Sequence, residues 1–299
     1  MGQISAADVK KLREATGVAM MDCKKALTEV DGDFEKAITL LREKGLAVSA
    51  KRADKTAGEG IILFAQSDDK KAGVLVELNC ETSFVAKNDE FVALAENIAK
   101  TALAGDYADI DALKAANILG TNDTVANALT DIMAKIGEKI DCPRFFKAVA
   151  SDNQAIAGYV HLDKLTGVMV VLESDNADFV KSDEAIALGK DVAMHTAWSN
   201  PKYLCTGDVP AEEIEAEKTV QINKLKQDPK MANKPENILQ GIITGRLNKE
   251  FFAQLCLLEQ AFVKDDKQTV GKFVADFGKS KGCKLEVASF MRFKVGEKA

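Results

Sequence analysis

The sequence predicts an α+β protein that combines a small helical bundle with two related α+β core subdomains. In the first 45 residues, apolar side chains recur at helical spacing. Further along the chain, β-type apolar runs followed by helical segments occur twice, and a polar stretch of two predicted helices interrupts the second of these units. We therefore expect a three-helix bundle at 1–55, core subdomains at 56–140 and 141–299, and an antiparallel helical hairpin inserted at about 209–249.

The N-terminal segment carries start and stop signals for three short helices. Ser5 and Asp33 can cap the first and third helices, because their side-chain oxygens accept backbone N–H groups that lack a partner in the first turn. A break at 16–19 separates the first helix from the second. Gly45 is expected to end the third helix, and the charged residues 51–55 are expected to form a linker.

The two core subdomains are predicted from strands followed by helices. Apolar runs at 61–65 and 73–80 flank a polar stretch, which is typical of a hairpin, and helices are expected around Phe91 and at about 124–139. The second unit has three predicted strands, a helix, the inserted helical hairpin and a closing helix and strand. Their expected ranges are 145–150, 157–161, 168–174, 183–195, 211–227, 236–249, 269–278 and 285–295, with Asp228-Pro229 and Lys234-Pro235 at the turn of the hairpin.

Composition excludes several classes of function. The chain has 299 residues, 40 Lys and Arg against 46 Asp and Glu, and a net charge of −6, whereas a protein that binds a nucleic-acid backbone needs a basic surface. Aromatic residues make up 6%, which argues against base stacking, and two histidines leave little room for a zinc site or a histidine-based triad. We expect a protein-binding protein, with no nucleic-acid partner, metal or cofactor, rather than an enzyme.

The cysteines and the apolar runs predict the compartment. Six cysteines stand at long, irregular spacings, which favours reduced thiols over a disulfide framework. The N-terminus has no signal-peptide pattern, and no apolar run approaches the ~20 residues that span a bilayer. We expect a cytoplasmic protein without a membrane partner.

Few residues suggest chemistry. No glycine-rich phosphate loop is present, and both His161 and His195 are expected to be surface or capping residues, since no nucleophile accompanies them. Two places suggest binding instead. Met20 and Met21 crowd a helix entrance, where methionine serves either as core filler or as an adaptable contact. Phe84 stands in a polar turn, where it either anchors a partner or folds back onto its own core.

Several motifs resemble those of one family. Two segments are similar to the two signatures of the bacterial elongation factor Ts family, whose members are guanine-nucleotide exchange factors of elongation factor Tu: LREATGVAMMDCKKAL at 12–27 and NCETSFVAKND at 79–89. KIGEKI, GYVHL, AMHTA, TVGKF and MRFKVGE follow in the family's order. The resemblance implies a heterodimer or higher assembly with elongation factor Tu bound to GDP. It also implies disturbance of the phosphate and magnesium site, so that GDP leaves and GTP rebinds.

The resemblance also assigns a fold and contact residues. It implies a ubiquitin-associated-like bundle that docks on the GTPase, and a coiled-coil hairpin at 209–249. By resemblance the contact residues are Arg13, Met20, Met21 and Lys24 in the bundle, Thr82, Ser83, Phe84 and Val85 in the exchange wedge, Ile136 and Gly137 beside it, and His161 and Val263 in the second subdomain.

Two features depart from the family pattern. Ser83 stands where the family has aspartate, so a hydrogen-bonding group remains but its charge does not, and Phe84 is expected to carry more of the effect. Many family members have a further helix after the motif matched by MRFKVGE, and the contacts of that helix are expected to be absent.

Two alternatives belong to other classes of protein. The N-terminal bundle alone is compatible with a module that binds ubiquitin or nascent chains, and such a protein would capture ubiquitin rather than a GTPase. An α+β hydrolase or transferase is the other alternative. It would show turnover that is lost on mutation of His161.

Overall fold

The computed structural model describes residues 4–16, 18, 20–52, 54–227 and 234–297, and the side chains of 46–51 lie outside the description. Gly17 and Ala19 of the expected break and the expected Asp228-Pro229 turn also lie outside it. The helices are α1 Ala6–Thr16, α2 Met20–Glu29, α3 Phe34–Arg52, α4 Asp89–Ala104, α5 Ile110–Ala115, α6 Val125–Ile136, α7 Ala177–Val180, α8 Asp183–Ser199, α9 Ala211–Gln227, α10 Glu236–Arg246, α11 Ala253–Leu255 and α12 Val270–Ser280. The strands are β1 Glu59–Gln66, β2 Ala72–Cys80, β3 Asp141–Val149, β4 Gln154–Val160, β5 Thr166–Ser174, β6 Ala261–Phe262, β7 Asp265–Thr269 and β8 Leu285–Lys294.

Helices α1 to α3 pack around a small apolar core of their own. Both expected caps are present. The Ser5 hydroxyl accepts the N–H of Asp8 at 3.1 Å, and the Asp33 carboxylate accepts that of Lys36 at 3.1 Å.

The expected helix end at Gly45 is wrong. Helix α3 continues to Arg52, so the first residues of the expected 51–55 linker are helical. A Cβ atom at Gly45 would lie 3.2 Å from the Ala134 Cβ atom of α6, so this glycine permits a close crossing of α3 over α6. Gly45 is therefore needed for its small size at the contact with α6, and it does not end the helix.

The first sheet has the antiparallel order β1-β2-β3. Leu63 pairs with Val76, and Val76 pairs with Phe145 on the other side. Helices α4 and α6 cover one face of this sheet. The sequence groups the 145–150 strand with the two that follow it, and the pairing of β3 with β2 corrects that grouping. The boundary expected at 140/141 stays a prediction, and this pairing favours moving it beyond Val149.

The second sheet has the antiparallel order β4-β5-β8, and α8 and α12 cover its outer face. The inner faces of the two sheets meet in a shared apolar layer that includes Ile62, Leu75, Ile156 and Met169. A Cβ atom at Gly158 would lie 2.4 Å from the Phe64 ring, so only glycine allows this approach between the sheets. The expected α+β class is confirmed.

Helices α9 and α10 contact each other at the expected place, through a small apolar cluster at Leu225, Ile243 and Leu247. The expected helix at 236–249 ends as α-helix at Arg246 and continues as a π-helical turn, Leu247–Phe252. The short helices α5, α7 and α11 and the β6-β7 ribbon are additions that the sequence does not predict. Among the described residues, no helix has the length and apolar character needed to cross a membrane.

Candidate functional site

Phe84 lies in the loop between β2 and α4, with 87% of its surface exposed. The next two residues, Val85 and Ala86, are buried in the first core, which is the apolar cluster between the first sheet and helices α4 and α6. They begin a single 3₁₀ turn, Val85–Lys87. The backbone at Phe84 is helical, and its carbonyl accepts the N–H of Lys87 at 3.2 Å. The ring therefore projects from a fixed turn, and the alternative in which Phe84 folds back onto its own core is excluded.

Hydrogen bonds hold the start of this loop to the end of α6. The Glu138 carboxylate accepts the Thr82 N–H at 3.0 Å and the Thr82 hydroxyl at 2.8 Å. The Cys80 thiol donates to the Thr82 carbonyl at 3.1 Å, and burial raises the pKa of that thiol to about 12. Asn88 closes the loop by capping α4. Ser83 remains exposed beside Phe84.

Ile136 and Gly137 lie at the same end of α6, directly before Glu138. Ile136 packs against the first core, and Gly137 ends the helix with φ = +82°, a conformation that favours glycine. The structure therefore connects these two residues to the Phe84 loop through the bonds between Glu138 and Thr82.

Glu81 joins the loop to the bundle. The Arg52 Nη1 atom, at the end of α3, lies 3.1 Å and 3.2 Å from the two Glu81 carboxylate oxygens. The same carboxylate accepts the backbone N–H of Lys139 at 2.6 Å. Sequence reasoning missed Arg52, Glu81 and Glu138, because their contacts join positions 29 and 56 residues apart and no local pattern marks them.

The bundle residues form a second location. Arg13, Met20, Met21 and Lys24 are all exposed on α1 and α2. The core-filler alternative for the two methionines is therefore excluded. Helix α3 of the bundle packs against α6.

His161 is exposed in the turn between β4 and β5, as expected, and its Nδ1 atom lies 2.9 Å from the Tyr159 hydroxyl. This turn and the Phe84 loop both contribute lining residues to a groove of about 610 Å³. Leu162 is on the turn side and Ser83 on the loop side. Leu162 is 95% exposed, and the signal that could have marked it is an apolar residue in a polar turn.

Val263 is exposed at the β6-β7 ribbon, and its N–H donates to Nδ1 of His195 at 3.2 Å.

The expectation of a surface or capping role for His195 is wrong, because the residue is buried on α8. Its Nε2–H donates to the Gln260 side-chain oxygen at 3.0 Å, since the Gln260 amide nitrogen itself donates to the Gln254 carbonyl. Burial lowers the pKa of His195 below 6.5. Trp198, 76% exposed, lies beside the His195 ring.

Within the described parts of the chain, no group of three or more His, Cys, Asp or Glu side chains is positioned to hold a metal ion. All six cysteines are free thiols. Burial raises the pKa of Cys142 to about 12 and that of Cys256 to about 11, so both stay protonated and unreactive near neutral pH.

Comparison with known proteins identifies the family. Residues 81–297 match the family described as elongation factor TS. The chain is 41% identical over 295 residues to elongation factor Ts of Trichlorobacter lovleyi, covering 98% of this chain and 93% of that one. It is 44% identical over 301 residues to the protein of the same name from Clostridioides difficile, covering 99% and 94%. For that of Prosthecochloris aestuarii the identity is 42% over 299 residues, covering 99% and 100%. The chain therefore belongs to the elongation factor Ts family, whose members act as nucleotide exchange factors in translation elongation.

Proposed function

We propose that the chain binds elongation factor Tu in its GDP form and speeds GDP release by inserting Phe84 beside the phosphate and magnesium site. GTP then rebinds to the emptied GTPase. The proposal rests on family membership and on one observation above all. The Phe84 ring is almost fully exposed, and the two residues that follow it, Val85 and Ala86, are buried. Two hydrogen bonds to Glu138 hold Thr82, two residues before the ring.

The physical argument is one of linkage. GDP and magnesium stabilise one conformation of the GTPase, and an exchange factor stabilises another in which their site is distorted. The factor must weaken nucleotide binding by the same ratio by which nucleotide weakens binding of the factor. Burial of one phenyl group contributes about 2–3 kcal/mol, which corresponds to about 30–150-fold in an affinity or a rate.

The remaining contact residues supply binding rather than distortion. Arg13, Met20, Met21 and Lys24 are exposed and accessible to a partner on the bundle, and His161 and Val263 are accessible on the second half of the chain. Ile136 and Gly137 act with the wedge through Glu138. We include in the proposal a ubiquitin-associated-like bundle, a coiled-coil character for α9 and α10, and a heterodimer or higher assembly with the GTPase.

The test measures stimulated release of a fluorescent GDP from elongation factor Tu by stopped flow. We expect the wild-type chain to accelerate release and Phe84→Ala to lose about 30–150-fold of that acceleration. Leu119→Ala is the matched control, because Leu119 is another exposed apolar side chain of the first half and lies outside the Phe84 loop. Equal rates for wild type and Phe84→Ala would overturn the wedge assignment.

The two alternatives from the sequence have their own tests in the same preparation. Binding of ubiquitin without binding of the GTPase would support the binding-module alternative. Substrate turnover that His161→Ala abolishes would support the enzyme alternative.

A further inference from the structure

Residues at the end of α3 are tied to the strand end that carries the Phe84 loop. The Arg52 Nη1 atom lies within hydrogen-bond distance of both Glu81 oxygens, at 3.1 Å and 3.2 Å, and the two side chains are 35% and 19% exposed. Three residues beyond Arg52, the Lys55 carbonyl accepts a hydrogen bond from the Lys139 ammonium at 2.9 Å. The chain that leaves the bundle is therefore held at two points.

The same two segments are tied to the end of α6. Glu81 accepts the Lys139 N–H at 2.6 Å, and Glu138 accepts the N–H and hydroxyl of Thr82 at 3.0 Å and 2.8 Å. Helix α6 in turn packs against α3 at Gly45. These contacts close a ring that runs from α3 through Arg52 and Glu81 to residues 138–139, and back along α6 to α3.

We propose that Arg52 is a positioning residue for nucleotide exchange, which acts through Glu81 to hold the Phe84 loop in place and to connect the loop to the bundle. This inference rests on the proposed function. Arg52 lies outside the set of contact residues, and it acts through a side chain next to the loop rather than by touching the GTPase.

The physical reason is preorganisation. A side chain that must distort a partner's site loses effect when its own backbone gives way, so a rigid loop converts more of the binding energy into displacement of the nucleotide. Charge-assisted hydrogen bonds are the stronger kind, and the Arg52–Glu81 pair is partly shielded from solvent. Because α3 belongs to the bundle, the pair also joins the bundle's docking to the position of Phe84.

The experiment separates binding from exchange. For wild type, Arg52→Ala, Arg52→Lys and Glu81→Gln, the rate of fluorescent GDP release is measured at saturating exchange factor, and the Kd of the complex with nucleotide-free elongation factor Tu is measured in parallel. We expect Arg52→Ala and Glu81→Gln each to lower the saturated rate about tenfold, with Kd changed less than threefold. Arg52→Lys, which retains the charge, should recover part of the rate.

Two further measurements sharpen the assignment. The double variant of Arg52→Ala and Glu81→Gln should be no slower than either single variant, because both remove the same interaction. Hydrogen exchange at the amides of residues 82–88 should accelerate in Arg52→Ala. Lys147→Ala is the matched control. It also removes a cation from an ion pair, since Lys147 Nζ lies 2.9 Å from the Asp106 carboxylate, but Lys147 is on β3 and outside the contacts that hold the Phe84 loop.

The outcomes are distinct. An unchanged saturated rate in Arg52→Ala overturns the positioning role, and so does a loss confined to Kd. If Arg52→Ala fails to fold by circular dichroism, Glu81→Gln and Arg52→Lys decide the matter by the same criteria. Phe84→Ala is measured alongside. An unchanged rate in that variant refutes the wedge itself, whereas slow release by Phe84→Ala with normal release by Arg52→Ala refutes only the role of Arg52.

Discussion

The two halves of the core place a phenylalanine at the same topological position and use it in opposite ways. In the first half, β2 leads through one helical turn into α4, and Phe84 points into solvent. In the second half, β5 leads through the single turn of α7 into α8, and Phe179 packs inward with its ring 6.2 Å from that of Phe277. Helix α12 supplies Phe277 and so covers the second position.

The anchoring of the two turns differs in the same way. In the second half, Ser174 and Asp175 bond the backbone of Lys284 at the start of β8, within the subdomain itself. In the first half, Glu138 holds Thr82 from within the subdomain, whereas Arg52 holds Glu81 from the bundle. A fixed aromatic is therefore a packing contact in one half and an exposed side chain, which we propose to be a binding group, in the other, depending on what packs beside it.

The largest effect on stability is expected at the covered phenylalanine. Phe179→Ala should lower the free energy of unfolding by about 2–3 kcal/mol, because it removes a partly buried ring and leaves a cavity against Phe277. Phe84→Ala should change that free energy by less than about 0.5 kcal/mol. Urea denaturation of both variants checks this contrast, and a similar loss in both would mean that the two rings are not used differently.

Glu138→Gln should lower the saturated rate of GDP release about tenfold. A glutamine amide has one oxygen acceptor for the two Thr82 donors and no charge, so one hydrogen bond to the loop is lost. Stopped-flow release at saturating factor measures the effect. Asn176→Ala removes the cap of α7 in the second half and is the matched control, with an unchanged rate expected.

The buried histidine makes the second half sensitive to pH. Because burial lowers the pKa of His195 below 6.5, the folded state favours neutral imidazole while the unfolded chain takes up the proton. The stabilisation is complete above pH 6.5 and is lost as the pH falls below that value, with a slope of at most about 1.4 kcal/mol per pH unit. Thermal unfolding at pH 7.5 and 5.5 should show a smaller pH dependence for His195→Gln than for wild type. Equal dependence would show that another group is responsible.

The smallest effect is expected at Ser83, beside the exposed phenylalanine. Ser83→Asp adds one exposed carboxylate that competes for the charge of magnesium, and we expect two- to fivefold faster stimulated release at millimolar magnesium. A magnesium titration of the release rate compares this variant with wild type. Coincident curves would show that the loss of the aspartate charge has no consequence.

Local signals account for most of what the sequence predicts. Caps at Ser5 and Asp33, the β1-β2 hairpin, and the apolar stripe of α4 all depend on neighbours within a few residues, and these predictions are confirmed. The helix end at Gly45 fails because the space for a glycine is set by Ala134, 89 positions away in sequence. The sheet membership of β3 fails for the same reason, since pairing with β2 joins distant segments.

In the candidate site, too, the features set by neighbouring residues are predictable from the sequence, and those set by distant residues are not. A phenylalanine in a polar turn is visible in the sequence, but whether it faces solvent depends on tertiary packing. The residues that hold the loop, Arg52, Glu81 and Glu138, form contacts across 29 and 56 positions and carry no local signature. The burial of His195 likewise depends on Gln260 and on the ribbon at Val263.

The most direct test of the central claim is single-turnover release of fluorescent GDP from elongation factor Tu by Phe84→Ala, with the Kd of the nucleotide-free complex measured on the same preparation. An exposed wedge on a fixed loop predicts a saturated release rate about 30–150-fold below wild type, with a much smaller change in Kd. A wild-type release rate at saturation, with the whole loss in Kd, would contradict the account. Phe84 would then be a binding contact and not the group that displaces the nucleotide.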